Sequence, residues 1–248
     1  MKAIILAAGR GSRLKKETKD KPKCLTVLAN KTLLKWQIEA LNKADIQDIV
    51  VVRGYLKNCI NFKDLSFIDN DRWNETNMVF SLSLADSILK TNTCIISYSD
   101  IIYHPSIVSK LIKTKGDIVI SYDLHWKSLW KLRFEDPLID AETFLTHNNK
   151  LISIGKKTKN YEDIQGQYMG LIKITPKGWK KIKTQLDQNV NNIDNLDVTS
   201  LLQILLDKNI NIQAVKIEGK WCEVDSILDL KRYEERIKRG YWVHDWRG

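Results

Sequence analysis

Short apolar runs alternate with amphipathic segments through the first half of the chain. Four of these runs predict strands, at residues 2–8, 48–53, 67–70 and 93–99. Most are apolar at nearly every position, which is typical of parallel strands that are covered on both faces. Apolar residues at helical spacing predict helices between them, at 32–44 and 78–89. The pattern therefore predicts alternating strands and helices over this half.

From residue 117 onward the predicted strands follow one another more closely. They lie at 117–122, 143–146, 151–155 and 168–174, with a turn at 147–150, and helices are predicted at 177–187, 198–208 and 226–238. We therefore expect an α/β fold with a Rossmann-like doubly wound mixed sheet flanked by helices, and a small β-rich lobe. Since no repeat or linker interrupts the sequence, we expect a single domain over 1–248, with a first part over about 1–116 and a second over about 117–248.

Cysteine spacing and hydropathy exclude several classes of protein. The four cysteines lie far apart and form no Cys-x-x-Cys pair, so their spacing indicates neither a zinc site nor a disulfide framework. No apolar run approaches the roughly 20 residues of a membrane-spanning helix, and the strand predicted at 2–8 leaves no room for a signal peptide. We expect a cytoplasmic protein with reduced thiols and no membrane association.

The formal net charge of +10 raises the question of nucleic-acid binding. The lysines are dispersed, however, and their local clusters at 15–16, 19–23, 156–159 and 177–183 have no DNA- or RNA-binding motif beside them. Most of these lysines fit solvated faces. We expect no nucleic-acid partner, and we interpret two of the clusters as groups that steer an anionic substrate.

The first predicted strand leads into a glycine-rich turn. Residues 6–14 read Leu-Ala-Ala-Gly-Arg-Gly-Ser-Arg-Leu, and Lys21-Pro-Lys23 follows. A dinucleotide-binding fingerprint would need a glycine where Leu14 stands, and a Walker-type loop would need Gly-Lys-Ser/Thr. Both common nucleotide motifs are therefore absent.

The residue types in this turn are nevertheless those that bind a triphosphate. Gly9 and Gly11 let the backbone turn and bring its N–H groups close to an anion. Arg13 and Lys23 add positive charge where phosphates would lie. The alternative is a tight strand-to-helix turn whose cations are solvated.

Two aspartates at element boundaries form a second candidate centre. Asp100 follows the strand predicted at 93–99, and in open α/β sheets ligands bind beyond the carboxyl ends of the strands. Asp225 lies where alternation gives way to a helical pattern. Each has an ordinary alternative, because aspartate is a common turn and N-cap residue.

The segments 6–14 and 21–23 resemble the signature of the sugar-phosphate nucleotidylyltransferase superfamily. The resemblance implies that a loop cradles an incoming nucleoside triphosphate, and that arginine and lysine stabilise charge as pyrophosphate leaves. It assigns these roles to Ala7, Ala8, Gly9, Gly11, Ser12, Arg13 and Lys23. It also implies that Asp100 and Asp225 hold Mg²⁺, with Asp100 next to the nucleotide, since two carboxylates with phosphate oxygens and water complete an octahedral shell.

Residues 70–82 resemble the corresponding segment of cytidylyltransferases that act on phosphocholine, aminoethylphosphonate and related amine-bearing substrates. Thr76, Asn77 and Ser81 are the candidates to meet the pyrimidine, and their alternative role is to begin and cap the next helix. Segments 97–103, 129–137 and 165–170 resemble cytidylyltransferases that act on phosphoglutamine in the modification of capsule or surface polysaccharide.

The middle of the chain supplies a candidate acceptor pocket. Its proposed walls are Trp126, Trp130, Tyr168 and Trp221. Glu142 is the candidate partner of an ammonium group, and Arg133 and Lys157 are candidates to bind the acceptor phosphate. The alternatives are that the tryptophans are core anchors and that Glu142 and Arg133 form a structural ion pair.

Together with these residues, the resemblance implies a Mg²⁺-dependent cytidylyltransferase that joins CTP to a small phosphorylated amine or amide and releases pyrophosphate. The first part of the chain would bind the nucleotide and the second the acceptor. An ionised phosphate is already a nucleophile, so no protein nucleophile is needed, and the histidines are interpreted as incidental. The alternatives are a phosphocholine or aminoethylphosphonate cytidylyltransferase, a sugar-1-phosphate nucleotidylyltransferase, and a nucleotide-binding regulatory module.

Overall fold

The computed structural model describes residues 1–188 and 190–248, without the side chains of Lys15, Lys16, Val190, Asn191 and Asn192. The lysine cluster at 15–16 therefore lies outside the described side chains. The strands are β1 (Lys2–Ala7), β2 (Val27–Leu28), β3 (Lys31–Thr32), β4 (Ile49–Arg53), β5 (Ser66–Asp69), β6 (Cys94–Tyr98), β7 (Ile101–Tyr103), β8 (Ile118–Asp123), β9 (Glu142–His147), β10 (Lys150–Lys157), β11 (Gln167–Ile174), β12 (Gln213–Ile217) and β13 (Trp221–Glu223). The α-helices are α1 (Leu33–Lys43), α2 (Met78–Ser83), α3 (Asp86–Leu89), α4 (Pro105–Lys113), α5 (Trp126–Arg133), α6 (Pro176–Gln188), α7 (Val198–Asp207) and α8 (Ile227–Lys238).

Nine strands form one mixed sheet in the order β5-β4-β1-β6-β11-β8-β12-β10-β9. The strands β5, β4, β1 and β6 are parallel, as their continuous apolar character predicts. β11 runs antiparallel to both of its neighbours, and β9 and β10 form an antiparallel edge. Strands from both halves of the chain thus share one sheet, and the prediction of a mixed α/β sheet flanked by helices is confirmed.

Two apolar cores lie on opposite faces of the sheet. Along β1, Ala3 and Ile5 belong to one core and Ile4 and Leu6 to the other, because successive strand side chains point to opposite faces. The first core includes apolar residues of α1, α4, α5 and α8, and the second those of α2, α3, α6 and α7. The sheet is therefore covered by helices on both sides.

One departure from the predicted elements is α5, where no helix was expected. Its buried face consists of Trp126, Leu129, Trp130 and Arg133, which is helical spacing with a charged residue in the last position. That arginine interrupts the apolar pattern on which the prediction depends. The predictions also missed α4 and the short strands β2, β3, β7, β12 and β13, and the helix expected at 78–89 is divided into α2 and α3.

The last residues of the chain fold back onto the body of the protein. Trp246 is buried against Trp36 with ring centroids 5.7 Å apart, and Val243 accepts a backbone hydrogen bond from Lys220. His244 is fully buried, and its Nε2 is 3.0 Å from Ser128 Oγ. This C-terminal segment, residues 241–248, thus contacts α1, α5 and the turn before β13.

Among the described helices, none is both long and apolar enough to cross a membrane.

Candidate active site

The loop after β1 is shaped by a close contact with Lys23. Gly11 has φ +71°, and a Cβ there would lie 2.7 Å from Lys23 Cβ, so only glycine fits without a shift. Ala7 and Ala8 are buried at the end of the strand, and the Ala8 carbonyl accepts a hydrogen bond from Tyr55. Candidate residues Gly9 and Ser12 are exposed. The loop therefore places an exposed stretch of backbone beside Lys23.

The turn between β6 and β7 carries Asp100. Gln37 of α1 is fully buried and donates from Nε2 to the carbonyl oxygens of Tyr98 and Ile101, 2.7 and 2.5 Å away. The Asp100 carbonyl in turn accepts from the N–H of Val224, at 2.9 Å. The backbone of Asp100 is thus held from α1 on one side and from the end of β13 on the other. The sequence signal for Gln37 was a polar residue on an otherwise apolar helix face.

Asp225 follows β13, which pairs with β7 and brings the last quarter of the chain to its first half. The cap of α8 is Ser226, whose hydroxyl accepts from the N–H of Asp229, and the Asp229 carboxylate accepts from the N–H of both Ser226 and Asp225. The side chain of Asp225 is therefore not the cap, the alternative left open above. It points instead toward the glycine-rich loop.

Four of the predicted residues meet at this point. Lys23 Nζ lies 2.7 Å from Asp100 Oδ2 and 2.5 Å from Asp225 Oδ1, and Arg13 Nη2 lies 2.9 Å from the same Asp225 oxygen. Burial opposes the charge on Lys23, but the two carboxylates hold its pKa above the ordinary value. Burial likewise opposes the charge on Asp225, yet Lys23 and Arg133 keep its pKa below the ordinary range. Both shifts favour the charged forms of Lys23 and Asp225.

The site contains two further charged residues, one unforeseen and one expected in another role. Glu223 lies at the end of β13, two residues before Asp225, and this i, i+2 spacing in an extended stretch was the available signal. Arg133 donates to Glu223 at 2.6 Å and to Asp225 at 2.7 Å. Burial and the neighbouring Asp225 raise the pKa of Glu223. Arg133, expected at the acceptor phosphate, thus pairs with these carboxylates, and the described residues show no ion pair between it and Glu142.

The carboxylates fit a magnesium ion. Asp100, Glu223 and Asp225 each offer an oxygen within 4.8 Å of the others. Asp100 Oδ1 is buried and has no hydrogen-bond partner in the described part of the chain, which is costly for a carboxylate oxygen unless a cation or water meets it. Carboxylate oxygens are the ligands that Mg²⁺ prefers. Asp100 and Asp225, the predicted pair, would hold the ion with Glu223 beside them.

The residues expected at the pyrimidine form a network among themselves. Asn70 is buried and donates from Nδ2 to Thr76 Oγ1 and to Ser81 Oγ, both at 3.0 Å. Asn77 caps α2 by accepting from Met78 N–H. These contacts match the alternative structural role, and the contact of Thr76, Asn77 and Ser81 with nucleotide stays a prediction.

The candidate acceptor residues are divided between core and surface. The residues Trp126, Trp130 and Trp221 are at most 4% exposed, and their indole rings pack near one another, as core anchors do. Glu142, half-buried, has its pKa raised by burial. Tyr168 packs edge-on against Tyr98, which lies two residues before Asp100. The exposed Lys157 donates to the Asp140 carbonyl at 3.1 Å.

Comparison with known proteins gives this geometry its context. Residues 3–133, just over half of the chain, match the family described as the MobA-like NTP transferase domain. The chain belongs to this family. It is therefore a nucleotidyltransferase, and the regulatory-module alternative is set aside. The matched range includes the glycine-rich loop, Lys23, Asp100 and Arg133.

Relatives of the family extend the comparison to the whole chain. A CTP:phosphoglutamine cytidylyltransferase of Campylobacter jejuni is 42% identical over 93% of this chain and 98% of its own length. A choline-phosphate cytidylyltransferase of Streptococcus pneumoniae is 40% identical, but over only 34% of this chain. The solved structure of a CTP:phosphocholine cytidylyltransferase from the same organism superposes with a TM-score of 0.73 over 95% of this chain and 98% of its own, at 22% identity, and so shows a shared fold.

Proposed function

We propose that the protein is a Mg²⁺-dependent cytidylyltransferase that joins CTP to a small phosphorylated amine or amide of the phosphoglutamine type. The observation that carries the proposal is the cluster in which Lys23 lies between Asp100 and Asp225 beside Arg13. The near full-length similarity to a protein named for CTP and phosphoglutamine supports the choice of substrates. The family resemblance extends the proposal to a cytoplasmic reaction that supplies capsule or surface polysaccharide modification.

The reaction is an exchange at the α-phosphorus of CTP. A phosphate oxygen of the acceptor attacks that phosphorus in line, a new P–O–P bridge forms, and the bond to the β-phosphate oxygen breaks to release pyrophosphate. Arg13 and Lys23 are placed to meet the negative charge that grows on the α-phosphate and on the leaving group. When bound at Asp100 and Asp225, Mg²⁺ would neutralise phosphate charge.

Lys23 must leave its carboxylate partners before it can contact the phosphates of CTP. Its ammonium group is held by two carboxylates, and an incoming triphosphate offers oxygens of greater charge. A cation at the carboxylates would take over their charge and free Lys23 for the phosphates. Lys23 and the metal would therefore enter their working positions together.

The acceptor is proposed to bind beyond β6, between Tyr168 and Glu142. A glutamine-derived acceptor carries an ammonium group, and Glu142 is a half-buried carboxylate whose charge is not matched by a side-chain ion pair among the described residues. Because Arg133 is engaged with Glu223 and Asp225, Lys157 is the remaining predicted cation for the acceptor phosphate.

The proposal is tested by measuring pyrophosphate release with four nucleoside triphosphates crossed with a panel of acceptors. The panel contains phosphoglutamine, phosphocholine, aminoethylphosphonate, a sugar 1-phosphate and no acceptor. We expect the highest kcat/KM with CTP and phosphoglutamine, and no release after chelation of divalent ions. Efficient release with sugar 1-phosphates, or equal use of all four nucleotides, would contradict the proposal.

Glu142→Gln tests the acceptor site separately. Loss of a partly desolvated, charge-assisted hydrogen bond should raise the KM for a cationic acceptor roughly tenfold to a hundredfold, with the KM for CTP largely unchanged. Glu235→Gln, at an exposed glutamate that pairs with Arg239, is the matched control. Equal effects of Glu142→Gln on both substrates would show instead that Glu142 supports the lobe.

A further inference from the structure

A buried arginine lies directly behind the carboxylates of the site. The side chain of Arg133 is 1% exposed, and its Nη1 and Nη2 are 2.6 Å from Glu223 and 2.7 Å from Asp225. Its Nε lies 3.5 Å from Asp229, the residue that completes the cap of α8. One guanidinium thus reaches three acidic residues, which lie at the end of β13, in the link that follows it and in the first turn of α8.

The two oxygens of Asp225 are divided between different partners. Oδ2 accepts from Arg133, while Oδ1 accepts from Lys23 and from Arg13. The contact with Arg133 therefore fixes which oxygen faces the glycine-rich loop. A planar guanidinium can hold two carboxylates at once in a set geometry, whereas an ammonium group is a single point charge.

The surroundings of Arg133 hold it in place. The guanidinium carbon lies 5.4 Å from the ring of Trp130 and 5.0 Å from that of Phe134. The backbone carbonyl of Arg133 accepts a hydrogen bond from Arg232 of α8, at 2.6 Å. Because the group is enclosed and both of its Nη atoms donate to carboxylates, it is not free to turn toward a substrate phosphate.

We propose that Arg133 is a positioning residue for nucleotidyl transfer, which sets the orientation of Asp225 and Glu223 and so presents Asp225 Oδ1 to Lys23 and Arg13. This inference rests on the proposed function for the identity of the reaction. It replaces the role at the acceptor phosphate that the sequence suggested for Arg133. Arg133 acts through the carboxylates and contacts neither substrate.

Arg133→Lys tests the proposal, because it retains the charge and removes the fork. Partners behind a metal site typically contribute 10- to 100-fold, so we expect kcat to fall by roughly that factor while the KM for CTP changes less than about threefold. Arg53→Lys is the matched control, since Arg53 also pairs with a carboxylate, that of Asp69, and lies over an aromatic ring. Thermal unfolding of each variant gives the folded fraction by which turnover is corrected.

A double-mutant cycle separates positioning from simple structural support. If Arg133 acts through Asp225, adding Arg133→Lys to Asp225→Asn should lower kcat by less than about twofold. The reason is that the orientation of the side chain at position 225 no longer affects turnover once its carboxylate is gone. Effects that multiply in full, or a corrected kcat equal to that of wild type in Arg133→Lys, would overturn the proposal.

Crystal structures of wild type and Arg133→Lys make the inference independent of the substrates. We expect the Asp225 carboxylate to turn so that Oδ1 no longer contacts Lys23. If wild type releases no pyrophosphate from any nucleotide, the proposed function fails, and the positions of these atoms alone decide the inference. An unchanged Asp225 in the variant would then overturn it.

Discussion

At the scale of single residues, the site depends on the pairing of buried cations with carboxylates. Lys23 is nearly buried, and it stays protonated because the carboxylates of Asp100 and Asp225 outweigh the cost of burial. Asp225 is in turn paired with Arg13 and Arg133. Exchange of one partner for a charged ligand therefore costs such a network little stability. Deletion of one member costs much more, because it leaves a buried charge unpaired.

Asp100→Asn and Asp225→Asn should each lower turnover by at least about a hundredfold while the protein remains folded. The reason is that an amide of the same shape cannot supply the negative charge that holds Mg²⁺. Turnover at saturating Mg²⁺, with far-ultraviolet circular dichroism as the check on folding, measures this. Asp187→Asn, at an exposed aspartate of α6, is the control. Near-normal turnover in either site variant removes that residue from the proposed metal site.

Arg13→Ala and Lys23→Ala should reduce kcat more than they reduce CTP affinity. The charge that these cations meet grows as the phosphoanhydride bond breaks, so their contribution is greater in the transition state than in the bound substrate. Isothermal titration with CTP and steady-state kinetics give the two quantities, with Arg239→Ala as the exposed control. The account is contradicted by a variant whose whole defect lies in CTP binding.

At the scale of elements, the short strand β13 is the piece that completes the site. It pairs with β7, and it is preceded by Gly219, whose N–H donates to the buried Asp123. Asp123 also accepts from the indole N–H of Trp221, at 3.0 Å. The C-terminal segment packs over this turn, so residues 241–248 support the strand that carries Glu223.

Gly219→Ala should destabilise the protein more than Gly240→Ala. Both glycines have positive φ, +73° and +97°, but a Cβ at Gly219 would lie 2.3 Å from the Val243 carbonyl, whereas none of the described atoms lies within 4 Å of one at Gly240. Backbone strain alone costs about 1–2 kcal/mol, and the clash should bring the loss at Gly219 to roughly 2–4 kcal/mol. Urea unfolding of the two variants compares them. Equal losses of stability would show that the C-terminal segment moves away from the added methyl group at no cost in free energy.

His244 should make stability fall as the pH is lowered below about 6.5. Burial lowers the pKa of His244 in the folded state, against an ordinary value of 6.5, although the Asp123 carboxylate opposes the shift. The stability contributed by the neutral ring is therefore complete above pH 6.5 and is lost as the pH falls toward the folded pKa.

The measurement is the free energy of unfolding between pH 7.5 and pH 5, in wild type and in His244→Gln. The slope attributable to one histidine reaches at most about 1.4 kcal/mol per pH unit, and His104, whose pKa is also lowered by burial, contributes equally to both proteins. The wild type should lose more stability than the variant over this range. Identical slopes would contradict a neutral His244 in the folded protein.

Sequence patterns predicted the local contributors to the site better than the distant ones. The glycine-rich loop and Asp100 were each expected just after a strand, where ligands bind in open α/β sheets, and Leu6 and Tyr98 are indeed register partners in adjacent parallel strands. The roles of Gln37 and Arg133 were not predictable, because their partners lie 61 and 92 residues away in the chain and a buried polar side chain does not reveal its partner.

At the scale of the whole molecule, two different devices bring the site together. The parallel strands β1 and β6 deliver Arg13, Lys23 and Asp100 to one edge of the sheet, as the doubly wound topology requires. Asp225 arrives outside the sheet, through the β7–β13 pair and the cap of α8. The net charge of +10 adds a general attraction for anionic substrates.

The central claim is that CTP is attacked by an acceptor phosphate at this site, and phosphorus nuclear magnetic resonance of the reaction tests it most directly. With CTP, phosphoglutamine and Mg²⁺, the account predicts equal amounts of pyrophosphate and of a new species with a P–O–P bridge between CMP and the acceptor, and neither product with Asp225→Asn. Formation of CMP and pyrophosphate without the bridged species, or a bridged product in equal yield from Asp225→Asn, would contradict it.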